Sequence, residues 1–178
     1  KTAIDPDIAH GYRVMSAPKQ HQIEGFTWLV EAWQAGWPGV LLADDMGLGK
    51  TYQTLTFLAW LQDNQKMLGH GRGFANAPVL VVAHTALLRT WINEAETHLS
   101  SETLGDRIEV FGPGLREIKR KQGPGWSPED ALDVARLRDS EWILVTYETL
   151  ATYHRAFARI NYSVIVFDEM QRIKSPTT

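Results

Sequence analysis

The sequence contains no cysteine, and this absence excludes disulfide bonds and cysteine-ligated zinc sites. Its six histidines show no paired metal-ligand spacing. No apolar run approaches the roughly 20 residues that a membrane-spanning helix needs, and the N-terminal residues do not form a basic-then-apolar signal pattern. We therefore expect a soluble protein without a membrane partner, and the lack of cysteine fits a reducing compartment.

The chain also lacks an excess of positive charge. Lys and Arg total 18 against 21 Asp and Glu, so the net charge is -3 and does not indicate a nucleic-acid-binding protein. One local basic cluster, LREIKRKQ at 115–122, contains Arg116, Lys119, Arg120 and Lys121. Because clustered Lys and Arg are common on protein surfaces, we interpret this cluster as a solvated helix face.

Apolar residues are plentiful, at 44% of 178 residues, which is enough for one substantial core. We therefore expect residues 1–178 to form one domain or one lobe of a larger protein. Five short segments are rich in Val, Ile and Leu: GVLLA (39–43), PVLVVA (78–83), RIEVF (107–111), WILVTY (142–147) and SVIVF (163–167). Several are apolar at consecutive positions, which is typical of strands buried on both faces of a parallel sheet.

Helical patterns lie between these segments. In HQIEGFTWLVEAWQAG (21–36) the apolar residues recur at three- and four-residue steps, and Gly36 is placed to end the helix. A second apolar stripe starts after Thr85 and consists of Leu88, Trp91, Ile92, Ala95 and Leu99. SPEDALDVARLR (127–138) predicts a helix with Ser127 as its N-cap and Pro128 at the first helical position.

Two glycine-rich stretches, 64–77 and 121–126, predict surface loops. The alternation of strands and helices predicts an α/β fold, with a doubly wound, mainly parallel sheet and helices on both of its faces.

DDMGLGKT, residues 44–51, follows the first apolar segment and precedes the helical pattern TYQTLTFLAWL. Gly47 and Gly49 allow positive φ angles, so that backbone N–H groups can converge on phosphate oxygens. Lys50 would contact the β and γ phosphates and Thr51 would bind Mg²⁺, at the positive end of the following helix. Strand, loop and helix together predict a phosphate-binding loop, although Asp44 occupies the slot where such loops usually have glycine.

A nucleotide hydrolase also needs a carboxylate for Mg²⁺ and a group that orients the attacking water. Asp168 and Glu169 directly follow the apolar segment VIVF, and ligands of open α/β sheets bind at the carboxyl ends of strands. We predict that Asp168 binds Mg²⁺ and that Glu169 acts as general base or positions the water.

The motifs resemble those of the Swi/Snf-type ATPases, the chromatin-remodelling and DNA-translocase branch of helicase superfamily two. DDMGLGKT resembles that family's phosphate loop DEMGLGKT, and DEMQRIKSP resembles its DEAHRIKN-type box. KQHQIEGFTWL resembles the adenine-recognition segment, LVVAHTALLRTWINEA resembles motif Ia, and ILVTYETL resembles motif Ib. The matches run in order from about residue 19 to 175, so the resemblance covers nearly the whole chain.

The resemblance implies an N-terminal RecA-like lobe that binds ATP and Mg²⁺. It implies nucleotide contacts from Lys19, Gln22 and the loop residues Asp45, Met46, Gly47, Leu48, Gly49, Lys50 and Thr51. Lys50, Asp168 and Glu169 would be catalytic, and Thr51 and Asp168 would hold the metal. Thr85, Arg89, Thr146 and Tyr147 would face the backbone of double-stranded DNA, a mode that needs little net positive charge.

The resemblance further implies an intracellular protein, in the cytoplasm or nucleoid of a bacterium or in a eukaryotic nucleus. A second RecA-like lobe of the same protein would supply arginines to the ATP site, and such arginines contribute about 10³- to 10⁵-fold in related phosphoryl-transfer enzymes. The isolated chain is therefore expected to hydrolyse ATP weakly or not at all. Which DNA-bound protein is the substrate stays open.

Four residues, in three of the motifs, depart from the family pattern. His84 stands where motif Ia often has proline, and Gln20-His21 stands where the adenine segment often has Pro-Tyr. Gln171 replaces the histidine that is thought to couple ATP state to the next motif, and an amide can hydrogen-bond but cannot titrate.

A different class of function stays open beside the enzyme. The chain could be a nucleotide-gated module that recruits a protein partner with little hydrolysis, although such a switch has less need of Glu169. A small GTPase would need an N-K-x-D guanine-reading motif, which the sequence lacks.

Overall fold

The computed structural model describes residues 14–45, 47–68, 77–121, 123, 125, 127 and 130–170. Within these residues the helices are α1 (Gln20–Gln34), α2 (Lys50–Leu68), α3 (Thr85–His98), α4 (Gly112–Ile118), α5 (Val134–Arg138), α6 (Tyr147–Thr152) and α7 (His154–Phe157). The strands are β1 (Val79–Val82), β2 (Arg107–Val110), β3 (Trp142–Val145) and β4 (Val164–Phe167). The chain divides into two compact units, Lys1–Gly69 with Trp91–Leu104, and His70–Thr90 with Gly105–Thr178.

The first unit is built around the packing of α1 against α2. Their shared apolar side chains are buried: Phe26, Leu29, Val30, Leu55, Leu58 and Leu61. Gly36 ends α1 as the sequence predicts, because its φ of 76° is left-handed and its N–H donates to the Trp33 carbonyl at 3.0 Å. The predicted stripe on α3 is also confirmed, since Leu88, Trp91, Ile92, Ala95 and Leu99 are all buried.

The predicted loop at 64–77 is wrong at its start, because α2 continues through Leu68. The Asn64 side-chain amide donates to the Trp60 carbonyl at 2.8 Å, so this polar residue bonds back onto the helix instead of ending it. Residues 69–76 lie outside the described residues. Although α2 is the longest helix, no helix in the described part of the chain is long and apolar enough to cross a membrane.

The second unit contains a four-stranded parallel sheet in the order β2-β3-β1-β4. All four residues of β1 and of β3 are buried, which matches their continuous apolar sequence. Strands and flanking helices share a buried cluster that includes Leu80, Val110, Ile118, Leu132, Leu137, Ile143 and Phe157. The predicted α/β fold with a parallel sheet is therefore confirmed.

The strand predicted at 39–43 is wrong. GVLLA has no regular structure, and Val40 and Leu41 are 43% and 75% exposed. A strand exists only where a neighbour completes its ladder of hydrogen bonds, and among the described residues none pairs with this segment. An apolar sequence alone therefore does not specify a strand here.

The helix predicted at 127–138 begins later than expected, at Val134, because Asp133 and not Ser127 is its N-cap. The Asp133 carboxylate accepts the Arg136 N–H at 3.2 Å. Ser127 instead donates its hydroxyl to the Asp130 carboxylate at 2.9 Å, and Pro128 lies outside the described residues.

The basic cluster at 115–122 is only partly helical, because α4 ends at Ile118 and Lys119 has an extended backbone. The Lys119 ammonium lies 5.4 Å from the centre of the Tyr153 ring, and Arg120 pairs with Asp133 at 3.6 Å. Arg116 and Lys121 are exposed. These surface contacts are consistent with a solvated face. The helix, however, includes only the first half of the basic cluster.

Candidate functional site

The predicted phosphate-binding loop lies in the first unit and has the backbone that its glycines predict. Gly47 and Gly49 have φ angles of 86° and 75°, a left-handed conformation that other residues rarely adopt. The helix that follows starts at Lys50, one residue before the predicted Thr51. Met46 lies outside the described residues. The two glycines therefore directly precede the N-terminus of a 19-residue helix, and the N-terminus of a helix stabilises anions.

Lys50 points back into the loop. Its ammonium donates to the Asp44 carbonyl at 2.7 Å and to the Asp45 carbonyl at 3.0 Å. Both bonds use backbone acceptors, so the positive charge stays available for a stronger, charged acceptor such as a phosphate oxygen. The arrangement fits a ligand that carries several anionic oxygens.

The predicted adenine-recognition segment, at the start of α1, touches the same loop. The side-chain oxygen of Gln22 accepts the Lys19 N–H at 2.9 Å. The side-chain nitrogen of Gln22 lies so close to Gly49 that a β-carbon at position 49 would collide with it. His21 donates from Nε2 to the Leu48 carbonyl at 3.1 Å, because a carbonyl can only accept. The structure thus brings Gln22 to Gly49 and His21 to Leu48, so the start of α1 borders the loop.

Gln53 of α2 contacts this loop, and the sequence patterns do not single it out. It is fully buried on α2, and its amide nitrogen donates to the Asp44 carboxylate and to the Leu48 carbonyl, both at 3.3 Å. Its side-chain oxygen has no hydrogen-bond partner in the described structure and lies against Gly25 of α1. The only sequence signal is a glutamine at a core-facing position of this helix.

The acidic pair lies in the second unit, at the carboxyl end of β4. The Asp168 N–H donates to the Val82 carbonyl at 2.9 Å and so extends the pairing of β4 with β1 by one residue. Glu169 has a φ of 53°, the one left-handed value that a residue other than glycine adopts in the described chain. That conformation is uncommon for glutamate and occurs mostly where surrounding contacts impose it.

A Mg²⁺ ion bound here would have few protein ligands. Within the described residues, no group of three or more His, Cys, Asp or Glu side chains is placed to hold a metal ion. Mg²⁺ commonly keeps several waters and takes only one or two carboxylates together with phosphate oxygens. The Asp168 carboxylate therefore suits only an ion that also binds water and phosphate oxygens.

The residues predicted to face DNA have different environments within the second unit. Thr85 and Arg89 are exposed on the first turns of α3, and Arg89 forms an ion pair with Glu109 at 3.4 Å. Thr146 is only 6% exposed, and its hydroxyl caps α6 by accepting the Thr149 N–H at 3.1 Å. Its hydroxyl is therefore committed inside the protein, which does not favour a direct contact with DNA.

Tyr147, at the first position of α6, is half-buried and turned towards the acidic pair. Its hydroxyl donates to the Asp168 carbonyl at 2.8 Å, and its ring stacks on Phe167 with centroids 6.4 Å apart. Burial raises the pKa of the Tyr147 phenol, and the charges of Asp168 and Glu169 raise it further. The phenol therefore stays protonated, as a hydrogen-bond donor, throughout the physiological pH range.

A comparison with protein families matches residues 21–178 to the SNF2-related domain. That range nearly coincides with the span of the motifs, from about residue 19 to 175. Gln171, the predicted coupling residue, falls within the matched range but outside the described residues.

Curated relatives come from bacteria, plants and animals. The Zorya protein ZorD of Escherichia coli O139:H28 is 31% identical over 191 residues, covering 97% of this chain and 16% of ZorD. The chromatin-remodeling ATPase INO80 of Arabidopsis thaliana is 32% identical, over 90% of this chain and 10% of its own length. The DNA excision repair protein ERCC-6-like of Mus musculus is 30% identical, over 89% of this chain and 11% of its own length. The chain thus spans about a tenth to a sixth of the length of these relatives.

Proposed function

This chain belongs to the family of SNF2-related domains, and on that premise we propose that it is the ATP-binding lobe of an ATP-dependent double-stranded DNA translocase or remodeller. The enzyme hydrolyses ATP to ADP and phosphate when a second RecA-like lobe completes the site. The observation that carries the proposal is the phosphate loop, whose left-handed Gly47 and Gly49 precede Lys50 at the start of a long helix.

On this proposal, the first unit recognises the nucleotide. Gln22 reads the adenine edge, with Lys19 as a neighbouring contact. The backbone of residues 45–49 surrounds the phosphates, and Lys50 exchanges its two carbonyl acceptors for phosphate oxygens.

The catalytic groups of the second unit are Asp168 and Glu169. Asp168 and Thr51 hold Mg²⁺, which supplies charge neutralisation at the phosphates. Glu169 orients the attacking water and accepts its proton. Gln171 couples the nucleotide state to the rest of the protein through hydrogen bonds alone, since its amide has no titratable proton.

DNA contacts come from the exposed start of α3, at Thr85 and Arg89, and from the segment that includes Tyr147. Hydroxyls and a helix N-terminus bind backbone phosphates without a large basic patch, which agrees with the net charge of -3. The names of the relatives include chromatin-remodeling ATPases and a DNA excision repair protein, so a DNA-bound protein is the proposed target of the motor.

ATP turnover of the full-length protein tests this function. Double-stranded DNA should stimulate hydrolysis, and Glu169→Gln should lower turnover by about 10²- to 10⁴-fold, the usual contribution of a positioned general base. ATP binding should persist, because the substitution changes no phosphate contact. The matched control is Glu117→Gln, which alters an exposed glutamate on α4 and should leave turnover unchanged.

Two outcomes would contradict the proposal. A wild-type protein that protein partners stimulate but DNA never does would favour the nucleotide-gated interaction module. A Glu169→Gln protein with normal turnover would remove Glu169 from the chemistry.

A further inference from the structure

The hydroxyl of Tyr147 makes a hydrogen bond to the acidic turn at Asp168 and Glu169. Tyr147 belongs to the segment that we propose faces DNA, yet its hydroxyl donates to the backbone carbonyl of Asp168 at 2.8 Å. The ring fixes this direction, because it stacks on Phe167 with an interplanar angle of 19° and lies beside His84, 5.6 Å between ring centres. The rings of Phe167 and His84 thus pack beside the phenol that bonds the acidic turn.

The Asp168 carbonyl belongs to the peptide unit that joins Asp168 to Glu169. A peptide unit is planar, so fixing its carbonyl also fixes the direction of the Glu169 N–H and restricts the φ angle of Glu169. That angle is 53°, a conformation that L-residues other than glycine avoid. The left-handed Glu169 therefore needs bonds that oppose relaxation of this peptide.

Two hydrogen bonds of Asp168 connect this turn to other segments of the second unit. The Asp168 N–H is bound to the Val82 carbonyl at 2.9 Å, which anchors the turn to β1. The Tyr147 hydroxyl binds the opposite side of the same residue. Of the two, only the tyrosine bond originates in a segment that a DNA backbone could move.

We propose that Tyr147 is a positioning residue that transmits DNA engagement at the start of α6 to the orientation of Glu169. The inference rests on the proposed function, because it assumes both DNA contact and hydrolysis. DNA binding would hold the start of α6 in place, and this would hold the peptide between Asp168 and Glu169.

The test is Tyr147→Phe in the full-length protein, which removes the hydroxyl and keeps the ring. We expect DNA-stimulated kcat to fall about fivefold, the effect of one neutral hydrogen bond. The KM for ATP and the affinity for a duplex should stay within about twofold of wild type, because Tyr147 positions Glu169 and binds neither ligand strongly.

Tyr162→Phe is the matched control. Tyr162 lies in the same unit, is part-buried, and donates its hydroxyl to the Phe157 carbonyl at 3.1 Å. The control therefore loses the same type of bond away from the acidic turn, and its DNA stimulation should equal that of wild type.

Each outcome is decisive. If DNA does not stimulate ATP turnover of the wild-type enzyme, the proposed function itself is refuted. A stimulated wild type with equally stimulated Tyr147→Phe overturns the coupling role alone. Equal losses in both tyrosine variants, or a parallel loss of duplex affinity, would assign Tyr147 to general stability or to direct DNA contact.

Hydrogen exchange of the wild-type protein provides a measurement that does not depend on the folding of the variant. Duplex should slow exchange of the amides at residues 168–170, because the turn becomes more firmly held. Unchanged exchange with saturating duplex would also overturn the inference.

Discussion

Gly25→Ala tests the contact between α1 and the glutamine that supports the phosphate loop. Gly25 lies inside α1, and a β-carbon there would collide with the side-chain oxygen of Gln53. The end of a glutamine usually moves away at little cost. Here it cannot, because Gln53 is fully buried and its amide nitrogen bonds Asp44 and Leu48.

The expected free-energy change has two parts of opposite sign. Alanine in place of glycine stabilises a helix interior by about 0.5–1 kcal/mol. Overpacking a filled core costs about 1–3 kcal/mol, and displacing the amide weakens two hydrogen bonds of about 1 kcal/mol each. Gly25→Ala should therefore destabilise the first unit by roughly 1–3 kcal/mol, against the direction of helix propensity.

A second substitution reverses the sign of the effect of Gly25→Ala on stability. In a Gln53→Ala background no side-chain oxygen opposes the new β-carbon, so only the helix preference remains. Gly25→Ala should then stabilise α1 by about 0.5–1 kcal/mol. The coupling free energy between the two sites is the difference between these effects, roughly 1.5–4 kcal/mol, which overlaps the range that contacting residues show.

The assay is hydrogen exchange of α1 amides in the full-length protein, compared among wild type, both single variants and the double variant. Affinity for ADP is measured in parallel, since loss of Gln53 should weaken the loop that we propose holds the phosphates. If Gly25→Ala has the same effect with and without Gln53, the close contact does not exist in solution and the reasoning fails.

Two further predictions concern the nucleotide and alkaline pH. Gln22→Ala should weaken ATP binding about tenfold and reduce the preference for ATP over GTP, as measured by titration with fluorescent nucleotides. Gln20→Ala, which alters an exposed neighbour, is the control, and an unchanged preference would exclude Gln22 as the adenine reader. Burial raises the pKa values of Tyr52 and Tyr162 above the ordinary 10.0. The folded state therefore holds these protons longer than the unfolded state, and stability that is complete below pH 10 should be lost as pH rises above it. Tyr162→Phe should reduce the slope of the denaturation midpoint against pH, and an unchanged slope would assign the loss to other groups.

The fold could be predicted where a sequence signal and its partner lie in the same sheet. The segments at β1 and β3 are apolar at every position, and the structure pairs them with each other and with β4 or β2. GVLLA carries the same signal but has no ladder partner among the described residues, so its apolar side chains are exposed. Strand formation is a property of two segments, which a single-segment pattern cannot report.

The helix cap at α5 illustrates a different limit. Both Ser127 and Asp133 are good N-cap residues, and sequence alone favoured the earlier one because acids and proline follow it. The fully buried Leu132 forms a bridge with Lys119 just before Asp133. That long-range contact keeps residue 132 extended, so the helix can begin only after it.

Asp44 connects the sequence argument to the site. In the first slot of the loop, a glycine would still provide a carbonyl for Lys50, the bond that Asp44 makes at 2.7 Å. It would not provide the carboxylate that accepts from the buried amide of Gln53. With glycine at 44, that amide would keep one acceptor, the Leu48 carbonyl, on a side chain whose oxygen already has none. One N–H of the Gln53 amide would then lack its acceptor, and a buried N–H without an acceptor costs more than the hydrogen bond itself is worth. Asp44 and Gln53 are therefore best understood as one paired feature. The residue that departs from the general phosphate-loop pattern is thus the one that allows a polar side chain to support the loop from within the core.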